Sequence, residues 1–239
     1  MIQLNTSVLI LCGGKGTRLK NLYPEIPKPL IEFAKRPFVE WLTIMLLKQG
    51  FINFIYATGY LGTKFYDWRS KNPVPIANKK IINEKKVLGT GGAMISAIEQ
   101  CKEYVLAING DSIVFTNVLP MYSLLEKADL VIMGLYQSDC SRYGSLTFNS
   151  ENYLTGYQEK NNSSEGYINA GIYLFRRSLL REFKKNEYLS FENDIIPAML
   201  KSNLHVSILL VKEADFIDIG IPSSIEIASD LIIKNTKWF

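Results

Sequence analysis

Short apolar runs alternate with segments of helical period through the first half of the chain. Residues 8–11 form an uninterrupted apolar run and read as a buried strand, and residues 53–57, 79–82, 104–108 and 129–135 read as further strands. Between them, Pro37 opens a helix that carries Phe38, Trp41, Leu42, Met45 and Leu46 on one stripe and closes at Gly50. Residues 64–71 make a short helix and residues 91–102 another. Strand–helix alternation of this kind implies a parallel sheet with helices on both faces.

The pattern changes after Tyr136. Residues 144–148, 154–159 and 167–175 follow one another through short polar turns with no helix between them, which predicts antiparallel strands beside the parallel sheet. Helical patterns return at 178–184 and 191–201, followed by strands at 206–211 and 216–219 and a last helix near 222–233. No linker, low-complexity tract or internal repeat interrupts this order. One α/β domain with a mixed central sheet is the simplest account, with a first half of about residues 1–135 and a second of about 136–239. In such sheets ligands bind at the carboxyl ends of the strands.

Composition narrows the partners. With 239 residues, 47% of them apolar, the chain has ample length for a core, and no stretch reaches the roughly 18–20 apolar residues of a membrane span. Its first residues show neither a basic nor an apolar leader segment, so no signal peptide is expected. The three cysteines, Cys12, Cys101 and Cys140, are odd in number and widely spaced, as expected for free buried thiols in a reducing cytoplasm. A net charge of +4 is modest, and the loose cluster Lys79, Lys80, Lys85 and Lys86 reads as a solvated face rather than a nucleic-acid patch. The single histidine, His205, has no cysteine neighbours with which to hold zinc and reads as structural.

The chemistry concentrates just after the first strand. Gly13, Gly14 and Gly16 follow Leu11 and Cys12, then come Thr17, Arg18 and, between two prolines, Lys28. A glycine turn after a strand aims amide N–H groups at an anion, and the two cations complete its neutralisation. Two familiar phosphate cradles do not fit. The Walker A spacing fails because Arg18 stands where its second glycine belongs, and the dinucleotide fingerprint fails because Leu19 replaces its third. Read alone, Gly-Gly-x-Gly describes a flexible turn.

The composite Gly-Gly-x-Gly-Thr-Arg-Leu…Pro-Lys-Pro-Leu resembles the signature of the sugar-1-phosphate nucleotidylyltransferases. That resemblance extends from about residue 8 to residue 222 and implies a single Rossmann-like, GT-A-like nucleotidyltransferase domain. It implies that Leu11, Gly13, Gly14, Gly16 and Thr17 bind the nucleotide while Arg18 and Lys28 hold its triphosphate. In Asn109-Gly110-Asp111 the hairpin signal Asn-Gly competes with the family reading, in which Asp111 and the strand-end Asp218 bind Mg²⁺. The glycine-rich segment 87–93 reads locally as a packed strand-to-helix turn; the resemblance makes Gly89 and Thr90 part of the nucleobase and ribose loop, with the helix start near phosphate.

Glu84 stands five residues before Gly89, where relatives read the base. A carboxylate only accepts hydrogen bonds, and guanine offers N1–H and a 2-amino group as paired donors, so Glu84 favours GTP. Asn109, Glu159, Lys160, Asn169 and Gly171 match the family's sugar-phosphate residues, although Glu159-Lys160 also fits an exposed turn. Asparagine and glycine are poor residues for mid-strand, which itself points to a ligand there. Ser190 to Pro197 resembles an element that supports the site, or Ser190 simply caps a helix.

The most similar branch is that of the D-glycero-D-manno-heptose 1-phosphate guanylyltransferases, which make GDP-heptose for bacterial surface polysaccharide. The resemblance implies a cytoplasmic enzyme, Mg²⁺ as cofactor, a nucleoside triphosphate and a sugar 1-phosphate as substrates, and the homodimer common in the family. Three other readings stay open at this point. They are a uridylyl- or cytidylyltransferase on a hexose or amino-sugar phosphate, a silent nucleotide-sugar sensor, and a metal-dependent glycosyltransferase, though the last normally carries an Asp-x-Asp pair.

Overall fold

The computed structural model describes residues 2–19, 21–71, 78–158 and 165–239. Its elements run β1 (Thr6–Cys12), β2 (Glu32–Phe33), β3 (Arg36–Pro37), α1 (Phe38–Lys48), β4 (Asn53–Thr58), α2 (Lys64–Lys71), β5 (Asn78–Asn83), α3 (Gly89–Ala97), β6 (Tyr104–Asn109) and β7 (Ser112–Val114). Then follow α4 (Met121–Leu125), β8 (Leu130–Gln137), β9 (Ser145–Phe148), β10 (Leu154–Gln158), β11 (Gly166–Arg176), α5 (Ile196–Lys201), β12 (Val206–Val211), β13 (Phe216–Asp218) and α6 (Pro222–Lys234).

β1 lies between β4 and β6, parallel to both, and β5 extends the sheet parallel to β4. A strand flanked and covered on both sides has no polar face, and Val8, Leu9 and Ile10 are fully buried. Period-two alternation divides them between two cores: Val8, Ile10 and Cys12 pack with α1, α2 and α6, whereas Leu9 packs with α3 and α5. β11 runs antiparallel to β6, β8 and β9, so the mixed second half grows directly from the parallel first half. Together nine of the described strands make one sheet flanked by helices.

The Asn109-Gly110 turn does not fold β7 back onto β6; β7 pairs instead with β13, antiparallel. Of the expected helices, residues 178–184 shrink to one 3₁₀ turn, Arg177–Leu180. Residues 191–201 divide into a π turn, Phe191–Ile195, and α5. Ser190 does cap this segment, accepting from the Asn193 N–H at 3.1 Å. The lysine cluster is not wholly a solvated face. Lys79 is half-buried with its ammonium 4.4 Å over the Trp68 ring, a cation–π contact in place of water, and burial pushes its pKa down. All three cysteines are free and buried. His205 takes a structural place, its N–H donating to Asp129 at 2.8 Å and its ring 5.5 Å from Tyr153.

Candidate active site

A cleft of about 410 Å³ opens at the carboxyl ends of β1, β5 and β6. The chain leaving β1 supplies Leu11, Gly13, Gly14 and Gly16; the loop after β5 supplies Glu84, Gly89 and Thr90; and the end of β6 supplies Asn109 and Asp111. Lys28 enters on a 3₁₀ turn, Lys28–Leu30, held between Pro27 and Pro29, whose fixed φ angles leave the chain little freedom there.

Lys28 and Asp111 meet as an ion pair at 2.6 Å, with the lysine side chain 14% exposed and the aspartate 38%. Asp218 stands beside them because β13 pairs with β7, setting Asp218 opposite Ser112, and the Ile219 N–H donates to the Asp111 carbonyl at 3.0 Å. Burial pushes the Asp218 carboxyl up, and the Asp111 charge adds to that push, while Lys28 and the Gly220 N–H oppose it. Two carboxylates therefore share one lysine. Among the described residues no group of three or more His, Cys, Asp or Glu side chains is placed to hold a metal ion.

Glu84 is anchored by its own backbone, its N–H donating to the Thr58 carbonyl at 2.7 Å. Burial raises its pKa to about 7, partly offset by the Leu88 N–H that the carboxylate accepts. At neutral pH it is thus poised between a donor-bearing acid and a pure acceptor.

A strap of residues 187–190 closes the cleft over the start of α3. The Leu189 carbonyl accepts from the Gly91 N–H at 2.9 Å and the Gly92 N–H at 3.1 Å, and its own N–H donates to the Leu88 carbonyl at 2.9 Å. Gly89, at φ 73°, leaves no room for a side chain: a Cβ there would lie 2.5 Å from the Leu189 oxygen. The Gly91 and Gly92 N–H groups at the amino end of α3 are therefore taken by protein. The small residues here serve close packing, while Gly89 and Thr90 still line the cleft.

On the acceptor side, β11 carries a bulge between Asn169 and Tyr173. Gly171 sits in it at φ 71°, and any side chain at that position would collide with the Asn109 carboxamide. The Asn169 carbonyl oxygen accepts from the Gly171 N–H at 2.9 Å, and its amide donates to the Tyr173 hydroxyl at 2.7 Å.

A family model described as nucleotidyl transferase matches residues 7–235. The chain belongs to the nucleotidyl transferase family. Among members of this family, a D-glycero-α-D-manno-heptose 1-phosphate guanylyltransferase of Campylobacter jejuni is 31% identical over 214 residues, 90% of this chain and 94% of the relative. One from Aneurinibacillus thermoaerophilus is also 31% identical, over 90% of this chain and 93% of its own. The crystal structure of HddC from Yersinia pseudotuberculosis complexed with GMP-PN matches with a TM-score of 0.84 at 31% identity, covering 94% of this chain and 98% of that one.

Not every residue expected from the family signature lines this nucleotidyl transferase cleft. Thr17 and Arg18 are exposed and stand outside its wall. Asn169, Gly171 and Asp218 are outside its wall too: Asn169 bonds the buried Tyr173, Gly171 packs against Asn109, and Asp218 lines a separate cavity of about 240 Å³ with Arg142 and Tyr143. Glu159 and Lys160 fall outside the described residues. The cleft also contains Val87, from the segment expected to form the nucleobase loop, Ser190 and Glu192, from the segment expected to support the site, and Tyr188, which the sequence did not single out. Tyr188 is 68% exposed on the rim, an aromatic in an otherwise polar stretch, and nothing in its spacing marks it.

Proposed function

We propose that the chain is a guanylyltransferase that joins GTP to D-glycero-α-D-manno-heptose 1-phosphate, forming GDP-heptose and releasing pyrophosphate. The observation that carries this reading is the Lys28–Asp111 ion pair in a cleft that the base-reading candidate Glu84 also lines, with the Asp218 carboxylate near enough to feel both charges. Relatives that align over nine-tenths of the chain bear the name of this activity, which supports the choice of GTP and of a heptose acceptor.

The attacking atom is an oxygen of the sugar phosphate, anionic at neutral pH, so no side chain has to remove a proton. It approaches the α-phosphorus in line. The bond from that phosphorus to the bridging oxygen breaks, and pyrophosphate departs with the electron pair. Lys28 is positioned to leave Asp111 for the α-phosphate oxygens, and Arg18, from outside the wall, would reach over the outer phosphates. Asn169 would orient the acceptor; Glu159 and Lys160 join it on the resemblance alone.

Asp111 and Asp218 fit Mg²⁺. They are hard oxygen donors brought together at one end of the β7–β13 pair, with Lys28 and Arg142 offsetting part of their charge, and phosphate oxygens and water would share the ion with them. When bound, the ion neutralises phosphate charge and aligns the nucleotide. Guanine selection falls to Glu84, whose two oxygens match N1–H and the 2-amino group. A cytoplasmic setting is supported by the GTP requirement and the three free thiols. The product would serve as a sugar donor for surface polysaccharide.

Pyrophosphate release tests the reading, using purified protein, Mg²⁺, four nucleoside triphosphates and a panel of sugar 1-phosphates. Turnover confined to GTP with the manno-configured heptose 1-phosphate is expected. Turnover with UTP or CTP instead would remove the role given to Glu84, and nucleotide binding without turnover would favour a sensor.

A further inference from the structure

Glu192 is the hub of a hydrogen-bonded chain that joins the two halves of the cleft. Its Oε2 accepts from the Thr90 hydroxyl at 2.7 Å and from the Ser190 hydroxyl at 3.0 Å. Its Oε1 accepts from the Tyr173 hydroxyl at 2.9 Å, and that hydroxyl in turn accepts from the Asn169 amide at 2.7 Å. Thr90 also accepts from the Phe191 N–H at 2.8 Å, which pins the threonine to the strap. Thus one carboxylate orients both the cleft-lining Thr90 of the nucleotide loop and, through a fully buried tyrosine, Asn169 on the acceptor side.

Local chain geometry explains why Glu192 reaches inward. It lies in the π turn Phe191–Ile195, where the Ile196 N–H returns to the Phe191 carbonyl. The extra residue of such a turn re-aims one side chain, and π turns concentrate at functional sites. Neighbouring Phe191 anchors the turn with its ring 4.8 Å from that of Tyr173. The donor count specifies a carboxylate. Three hydroxyls donate to it, whereas a carboxamide would bring its own donors to one side.

We propose that Glu192 is a positioning residue that couples the acceptor to the nucleotide: it holds Asn169 through Tyr173 and Thr90 directly, so that order in one half of the cleft favours order in the other. The inference rests on the acceptor role proposed for Asn169. Because coupling between two ligands is reciprocal, GTP should tighten acceptor binding as much as the acceptor tightens GTP.

Two-substrate initial-rate kinetics with GTP and D-glycero-α-D-manno-heptose 1-phosphate tests it on wild type, Tyr173→Phe, Glu192→Gln, Asn169→Ala and the Asn169→Ala/Tyr173→Phe double variant. Tyr173→Phe keeps the ring in the core and cuts the acceptor arm between Glu192 and Asn169. Its acceptor KM should rise about 10-fold, the worth of one hydrogen bond to an ordered polar group, with the GTP KM within about two-fold of wild type. Glu192→Gln should raise both KM values and weaken the mutual dependence of the two substrates. In the Asn169→Ala background, Tyr173→Phe should add nothing, since the arm already ends. The wiring is overturned if Tyr173→Phe, with wild-type melting temperature, leaves the acceptor KM unmoved, or if the two substitutions add. Absence of turnover by wild type would overturn the proposed function and the wiring together, whereas an active wild type with unmoved variants overturns only the wiring.

Discussion

Lys28 and Asp111, 83 residues apart in the chain, form an ion pair at 2.6 Å that holds both side chains where the proposed reaction would use them. Each group is the other's substitute partner. On the proposed mechanism, phosphate would replace the aspartate beside Lys28 and a divalent cation would replace the lysine beside Asp111. Removing either member leaves a part-buried charge alone and strips transition-state charge stabilisation. Lys28→Met and Asp111→Asn are each expected to lower kcat by about 10²–10³, the typical loss for one preorganised charge stabiliser, in the pyrophosphate-release assay. A loss below about three-fold for Lys28→Met would take the α-phosphate role away from this residue.

The burial of Glu84 makes nucleotide affinity depend on pH. Its folded pKa of about 7 lies above the usual carboxylate range, so the folded protein prefers the protonated acid. The sign has two consequences. Stability from this group is fully present below the ordinary carboxylate pKa and is lost as pH rises through about 7. On the base-reading role proposed for Glu84, guanine needs the carboxylate, so GTP would displace a proton at low pH and its Kd should weaken about 10-fold between pH 8 and pH 6. Calorimetric titration with a non-hydrolysable GTP analogue reads this directly. In Glu84→Gln the pH dependence should vanish, leaving a weaker affinity at pH 8, and a slope that persists would assign it to another group.

Tyr188 offers a flat apolar face at the cleft rim, on a strap whose next residue is tied by backbone hydrogen bonds to Leu88 and, twice, to α3. An aromatic ring exposed at the same rim as Val87 is suited to cover a nucleobase. Tyr188→Ala should raise the GTP KM about 10-fold at unchanged kcat, within the range for one base–aromatic stack, and Tyr188→Phe should retain wild-type values. Equal losses in both variants would point to the hydroxyl instead.

Gly171 tests how tightly the acceptor side is built. At φ 71° an alanine carries a backbone penalty of about 1–2 kcal/mol, and its methyl displaces the Asn109 carboxamide. Gly171→Ala is expected to melt about 2–8 °C lower by calorimetry and to lose activity beyond what that shift explains. An alanine variant with wild-type melting temperature and KM values would mean that the bulge relaxes freely.

Much of this was legible in the chain. The strand at residues 8–11, the Pro37–Gly50 helix and the change to antiparallel pairing after Tyr136 follow from apolar periodicity and from glycine and proline punctuation, which are local properties. The 3₁₀ turn at Arg177–Leu180 broke the expectation of a full helix because tertiary contacts, with the Arg177 N–H donating to the Glu103 carbonyl at 2.7 Å, override a short helical pattern. Glycines 91 and 92 looked the same in sequence whether they served a ligand or a neighbour. Only the arrival of Leu189, about a hundred residues later, decided that their N–H groups were taken.

The chain by itself therefore determined the kind of chemistry. Close-spaced glycines, a lysine locked between prolines and carboxylates at strand ends are local patterns, carried by residue type and short spacing. The tertiary structure decided which of those groups share one environment. It set Asp218 beside Asp111 through the β7–β13 pair, buried Glu84 until its pKa approached 7, and turned Glu192 toward both Thr90 and Tyr173. Charge, desolvation and hydrogen-bond saturation depend on every neighbour within a few ångströms, and those neighbours come from distant parts of the chain.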